Sequence, residues 1–144
     1  MTDPAAAIVL FILVPLLWIL VMLVLAYAGG WARLARDYRH WDPPEGDRWF
    51  GQSAALGWVS YNQCLIVVAG SRGLRLSVFF PFRIGHPPLL IPWNEITGTP
   101  GKRLFIEHVD LRFRRAPEIR VRISQRLASA LYADGHRWTT VDAP

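Results

Sequence analysis

Four histidines, one cysteine and eleven carboxylates are the residues of this 144-residue chain whose types could do bond-making or metal chemistry, and their spacing assembles none. His40, His86, His108 and His136 are scattered. Cys64 has no second cysteine, and no His-x-x-x-His or Cys-x-x-Cys spacing offers a metal two ligands from one element. Gly70-Ser-Arg-Gly73 reads as a turn, lacking the lysine and following helix of a phosphate loop. No Gly-x-Ser-x-Gly elbow occurs. Glu95, Glu107 and Glu118 stand singly, where acid/base catalysis needs two groups facing one bond. The chain is expected to be no enzyme, to hold no cofactor and to act by contact.

Three groups of residues suit contact. The segment Phe79-Phe-Pro-Phe-Arg-Ile-Gly-His-Pro-Pro88 sets three phenylalanines, an arginine and a histidine in a loop stiffened by prolines. Phe79, Phe80, Phe82, Arg83, Ile84 and His86 are therefore candidates for contact with a bilayer surface or a partner subunit. The same aromatics would also suit a loop folded over an open barrel end as core. A second group, Arg112, Arg114, Arg120 and Arg122, points away from the apolar side of the last two strands. It is either a basic face for an acidic partner or a solvated surface paired with its own carboxylates, Asp110 opposite Arg122 and Glu118 opposite Arg114. The third group is Tyr27, Trp31, Arg33, Arg36, Arg39 and Trp41, aromatics and cations at the border of a long apolar run.

That run, Ala5 to Ala28, is 24 residues without a charge, enough to cross a hydrocarbon core of about 30 Å. Pro15 removes a backbone donor near its middle and is expected to kink it. Ala26-Tyr27-Ala28 resembles a signal-peptidase site, but Met1 to Pro4 carry no lysine or arginine and the run is longer than signal peptides use, so a retained anchor is expected. Arg33, Arg36 and Arg39 against the single Asp37 orient it with the N-terminus outside and the rest cytoplasmic. One cysteine needs no oxidising compartment, in keeping with that side.

After the anchor, Trp31, Leu34, Ala35, Tyr38 and Trp41 share one helical stripe, and Arg33, Arg36, Asp37 and His40 occupy the remainder. Gly29-Gly30 permits a bend, so this short basic amphipathic helix either lies in the headgroup layer or packs on the domain that follows. Asp42-Pro43-Pro44-Glu45-Gly46-Asp47 ends it.

From Arg48 the pattern becomes short runs bounded by turn residues: Trp49–Leu56, Cys64–Ala69, Leu74–Val78, Leu89–Ile91, Arg103–Glu107, Val109–Arg114 and Glu118–Ile123. The intervening turns are Asn62-Gln63, Gly70–Gly73, the Pro-rich loop, Thr97–Gly101, His108 and Arg115–Pro117. Ser124 caps a predicted helix over Gln125 to Ala133, with Leu127, Ala130 and Leu131 as its apolar stripe and Gly135 as its stop.

Seven strands and a final helix, with Gly73-Leu-Arg-Leu-Ser-Val78 leading to Pro88-Leu-Leu-Ile-Pro-Trp-Asn-Glu-Ile96, make the chain similar to bacterial pleckstrin-homology-like domains, the GRAM-like ones included, over Trp49 to Asp134. The resemblance implies an α+β protein: one transmembrane helix, then a mostly antiparallel seven-stranded barrel plugged by a C-terminal helix, a fold used to bind lipid headgroups, peptides or neighbouring subunits. Lipid-binding relatives carry basic residues in the first inter-strand loop; here Gly57 to Gln63 has none. The expected organisation is an anchor over 1–30, an amphipathic helix and Pro-rich linker over 31–47, a cytoplasmic domain over 48–135 and a tail over 136–144.

These features lead to an accessory subunit that docks on a larger membrane complex in the bacterial inner membrane, in contact with lipid and an integral membrane partner. A membrane-surface adaptor that binds a peptide or acidic lipid is the other reading; nucleic acid is not an expected partner. Alkaline phosphatase fused after Arg39 should be inactive in a bacterial host; high activity there would reverse the orientation.

Overall fold

A computed structural model describes residues 3–41, 45–80, 82–135 and 138–141. The linker residues Asp42, Pro43 and Pro44, Pro81 of the aromatic loop, and His136 and most of the tail lie outside the described residues. Helix α1 (Pro4–Gly29) starts on Asp3, whose carboxylate accepts from the Ala5 N–H at 3.1 Å. Pro4 sits in its first turn and Pro15 inside it. α1 is long and apolar enough to cross a membrane, with mean hydropathy 3.3 over its richest stretch. Its first half is exposed throughout, whereas Met22, Ala26 and Gly29 face protein.

Gly30 adopts φ 95°, a left-handed conformation that reverses α1 into helix α2 (Trp31–Tyr38). Both glycines of the bend are also required by packing. A Cβ on Gly29 would stand 2.9 Å from the Val59 side chain, and one on Gly30 would press into Ile119. Of the two places open to the amphipathic helix, the structure selects the domain: Trp31, Leu34, Ala35 and Tyr38 are all buried in its core. The Trp31 indole donates to the Pro87 carbonyl at 2.9 Å and packs against Tyr61 and His86.

Eight strands form one curled sheet in the order β4-β3-β2-β1-β7-β6-β5-β8. They are β1 (Asp47–Leu56), β2 (Val59–Ala69), β3 (Leu74–Val78), β4 (Leu89–Ile91), β5 (Ile96–Arg103), β6 (Ile106–Phe113), β7 (Ala116–Ser124) and β8 (Thr139–Thr140). All neighbours are antiparallel except β5 and β8, so the sheet is mixed and has one strand more than the seven expected. Alternate residues such as Leu74, Leu76 and Val78 fill the inner face. Helix α3 (Gln125–Ala133), capped by the Ser124 hydroxyl as expected, closes it with Leu127, Ala128 and Leu131.

Three differences from the sequence reading have physical causes. The first hairpin turns at Gly57-Trp58 rather than Asn62-Gln63, which lie inside β2; Gln63 there takes φ 56° at an irregular register with β1. Thr97-Gly-Thr-Pro-Gly101 is strand rather than loop. Gly98 is required because the Trp138 indole occupies the place of a Cβ, and Pro100 lies beyond the two residues at which β5 pairs β8, so its missing N–H breaks no described ladder. Leu104-Phe105, read as strand, is the turn between β5 and β6.

A polar clamp fastens α2 to this sheet. Arg115 donates from Nε and Nη2 to the two oxygens of Glu95, each at 2.9 Å. The Tyr38 hydroxyl donates to Glu95 at 3.2 Å and accepts from the Arg115 N–H at 3.0 Å. Arg115 also reaches the Asp37 carbonyl at 3.1 Å and covers the Tyr38 ring. Tyr38→Phe should lower stability by about 1 kcal/mol through loss of this relay. Trp31→Ala should cost about 3–5 kcal/mol by leaving a cavity. Both are read as thermal midpoints in detergent.

Candidate functional site

The aromatic loop divides its residues between two duties. His86 is buried, its Nδ1 donating to the Ile84 carbonyl and its Nε2 accepting from the Tyr61 hydroxyl, both at 2.8 Å. A carbonyl can only accept, so Nδ1 carries a proton, and burial disfavours a second one on Nε2, which leaves Nε2 as the acceptor. Burial pushes its pKa down. Ile84 and Phe82 are half-buried, and the Phe82 ring lies 5.4 Å from that of Trp18 on α1. Gly85 rests against Leu23 and Ala26 of α1. Phe79 is half-buried and stacks on Phe50 at 6.3 Å, while Phe80 and Arg83 face outward. The loop divides between core and surface: His86 is enclosed, Phe79, Phe82 and Ile84 are half-buried, and Phe80 and Arg83 are exposed. The turn is held by Phe82 N–H to Phe79 carbonyl, His86 N–H to Arg83 carbonyl, and Arg83 Nε to Val78 carbonyl at 3.1 Å.

Among the border residues, Tyr27, Arg36, Arg39 and Trp41 are exposed. Two assignments need correction. Trp31 is wholly enclosed in the core, because its indole completes the cluster with Tyr61 and His86. The Arg33 guanidinium turns to protein, pairing with Asp37 at 2.6 Å and Glu118 at 2.7 Å and donating to the Arg115 carbonyl at 2.9 Å. Trp58, in the turn at Gly57 beside the end of α1, is an exposed aromatic that the sequence reading left out.

The basic face is largely tied up. Arg122 pairs with Asp110 at 2.8 Å across the predicted register, Arg120 approaches the same carboxylate at 3.8 Å, and Arg112 donates to the Pro117 carbonyl at 2.9 Å. Arg112 sits at the register shift between Leu111 and Phe113. Glu118 belongs to Arg33, and Arg114 remains exposed. A carboxylate inside the cluster weakens it as an anion site.

Two further surfaces emerge only in three dimensions. At the β5–β6 turn, Leu104, Phe105 and Ile106 are 82%, 91% and 71% exposed, and Leu104 and Phe105 adopt φ 48° and 70°. Left-handed backbone at two successive bulky residues is strained. On the outer face of β1 to β3 lies a cleft of about 500 Å³, lined by Trp41, Arg48, Phe50, Arg75 and Arg83 among others. Arg48 and Arg75 flank Val68 in one cross-strand row, a juxtaposition invisible at separations of 20 to 27 residues in the chain. Cys64 is buried with its thiol pKa pushed up, as befits a packing residue.

No family model, curated protein or solved structure matches the chain. No group of three or more metal-ligating side chains occurs among the described residues.

Burial lowers the folded-state pKa of His86 below its ordinary 6.5, so the unfolded chain takes up the proton first as pH falls. The stability that His86 contributes is complete above pH 6.5 and declines below it. Glu95, held down chiefly by the Arg115 hydrogen bonds, contributes stability that is complete above 4.5 and is lost only at lower pH. The thermal midpoint should therefore drop between pH 7.5 and 5.5, and His86→Gln should flatten that slope.

Proposed function

We propose that the protein is a non-enzymatic, single-pass component of a bacterial inner membrane that docks on a larger membrane protein complex, respiratory, photosynthetic, transport or secretory, and stabilises it. The carrying observation is the turn Leu104-Phe105-Ile106. A two-residue hairpin turn with both φ values positive is ordinarily built from Asn-Gly, which is polar and unstrained. Placing Leu and Phe there costs both backbone strain and exposed apolar area, and occupancy by an apolar pocket on a partner would offset both. The domain behind this turn is read as pleckstrin-homology-like, supported by seven successive antiparallel strands followed by a C-terminal helix. Its cytoplasmic placement rests on Arg33, Arg36 and Arg39 following α1. An adaptor that binds acidic lipid is the second reading, favoured by the arginine-lined cleft.

The test is a replacement of Leu104-Phe105 by Asn-Gly. The isolated protein should become more stable by about 1–2 kcal/mol, because strain is relieved. In native gels of solubilised membranes the wild-type chain should migrate with a much larger complex, and the variant alone. Migration of the wild type at its own mass would refute the docking role.

A further inference from the structure

The aromatic loop is fastened to α1 at a place that decides how deep the domain sits. The Phe82 ring lies 5.4 Å from that of Trp18, and a Cβ on Gly85 would stand 3.0 Å from the Leu23 side chain and 3.4 Å from that of Ala26. Loop and helix therefore run side by side from Trp18 to Ala26. Asp3, the N-cap, holds the start of α1 at one surface, because a carboxylate is costly in hydrocarbon. From Pro4 to Leu17 the helix is exposed on every side and measures about 21 Å, whereas a core of about 30 Å takes about 20 residues, as far as Leu23. Tilt lengthens the path and draws in more of α1. Trp18 then lies about 8 Å inside the boundary at Leu23, and the exposed Tyr27 about 6 Å outside it, at the depth where tyrosine is favoured. The side of these turns away from the domain, at Leu20, Val21 and Val24, is apolar and exposed.

We propose that the loop enters the bilayer with the helix, Phe82 beside Trp18 below the headgroups and Phe80 among the acyl chains, so that the domain sits partly sunk in the leaflet where α1 ends. Phe80 is exposed and follows Phe82 closely, since two residues of chain span at most about 7 Å. The loop is built for such a place. Backbone in hydrocarbon must satisfy its polar groups internally. The carbonyls of Val78, Phe79, Arg83, Ile84, Pro87 and Pro88 all accept within the protein, from Arg83 Nε, the Phe82 and His86 N–H groups, His86 Nδ1, the Trp31 indole and the His40 N–H. Pro81, Pro87 and Pro88 have no N–H to leave unpaired. The Arg83 side chain folds back to the Val78 carbonyl and lines the cleft with Trp41 and Arg48, which carries its charge toward the outer face of the sheet. This insertion rests on α1 spanning the bilayer, as proposed above, and needs no partner complex.

The full chain carrying Cys64→Ser is spin-labelled at Leu10→Cys, Phe80→Cys or Ser129→Cys and reconstituted into phosphatidylcholine vesicles. Ser129, exposed on α3, is the reference for water. Collision with oxygen, which concentrates in lipid, should exceed collision with a water-soluble nickel chelate at 10 and at 80, and the order should reverse at 129. Lipid at 10 with water at 80 overturns the embedded loop and leaves the anchor standing; water at 10 overturns both. A photoreactive benzoylphenylalanine at 80, in the otherwise unchanged chain, decides the matter even where Cys64→Ser does not fold. A phospholipid adduct at 80 supports insertion, and its absence while position 10 yields one refutes it.

Discussion

The indole of Trp31 sits without solvent exposure between Tyr61 and His86 and donates to the Pro87 carbonyl, and this contact joins three parts of the chain that are far apart in sequence. It belongs to the turn of helix that follows α1, it closes the core of the sheet, and it fixes the end of the aromatic loop. The Glu95–Arg115–Tyr38 clamp secures the opposite end of the same helix. α2 contributes four residues to the core, so it is a structural part of the domain as much as a continuation of α1. For a domain of about a hundred residues, that apolar stripe is a substantial share of the available core.

Once Trp31 is placed, the loop beside it has little freedom. Its descending part is anchored by His86 and Pro87, and its middle is pressed onto α1 through Gly85 and Phe82. Phe80 and Arg83 are left outward by this constraint and not by chance. The cleft behind them inherits its shape from the same packing, with β1, β2 and β3 as its floor and the loop as one wall.

Much of this was legible in the chain. The charge-free run, the glycine bend, the α2 stripe, β3, β4 and α3 with its Ser124 cap were read from pattern, because local propensity and tertiary packing agree there. Legibility failed where they conflict. Thr97–Gly101 has loop composition but is held as strand by the partner β6 and by Trp138 lying over Gly98. Leu104-Phe105 has strand composition but is held as a turn. Trp31 and Arg33 had the composition of an interface, and periodicity alone cannot tell a stripe that faces lipid from one that faces a sheet. The cleft arginines were beyond reach because only strand pairing brings Arg48 and Arg75 either side of Val68.

The glycine bend carries a mechanical consequence. Gly29 and Gly30 would give a free joint if their surroundings were open, yet Val59 and Ile119 occupy the space on which any side chain, or any swivelling, would depend. The joint is therefore set at one angle. α1 and the sheet are joined by a fixed elbow, so a tilt of this long apolar helix would be shared by the whole domain and would displace the β5–β6 tip.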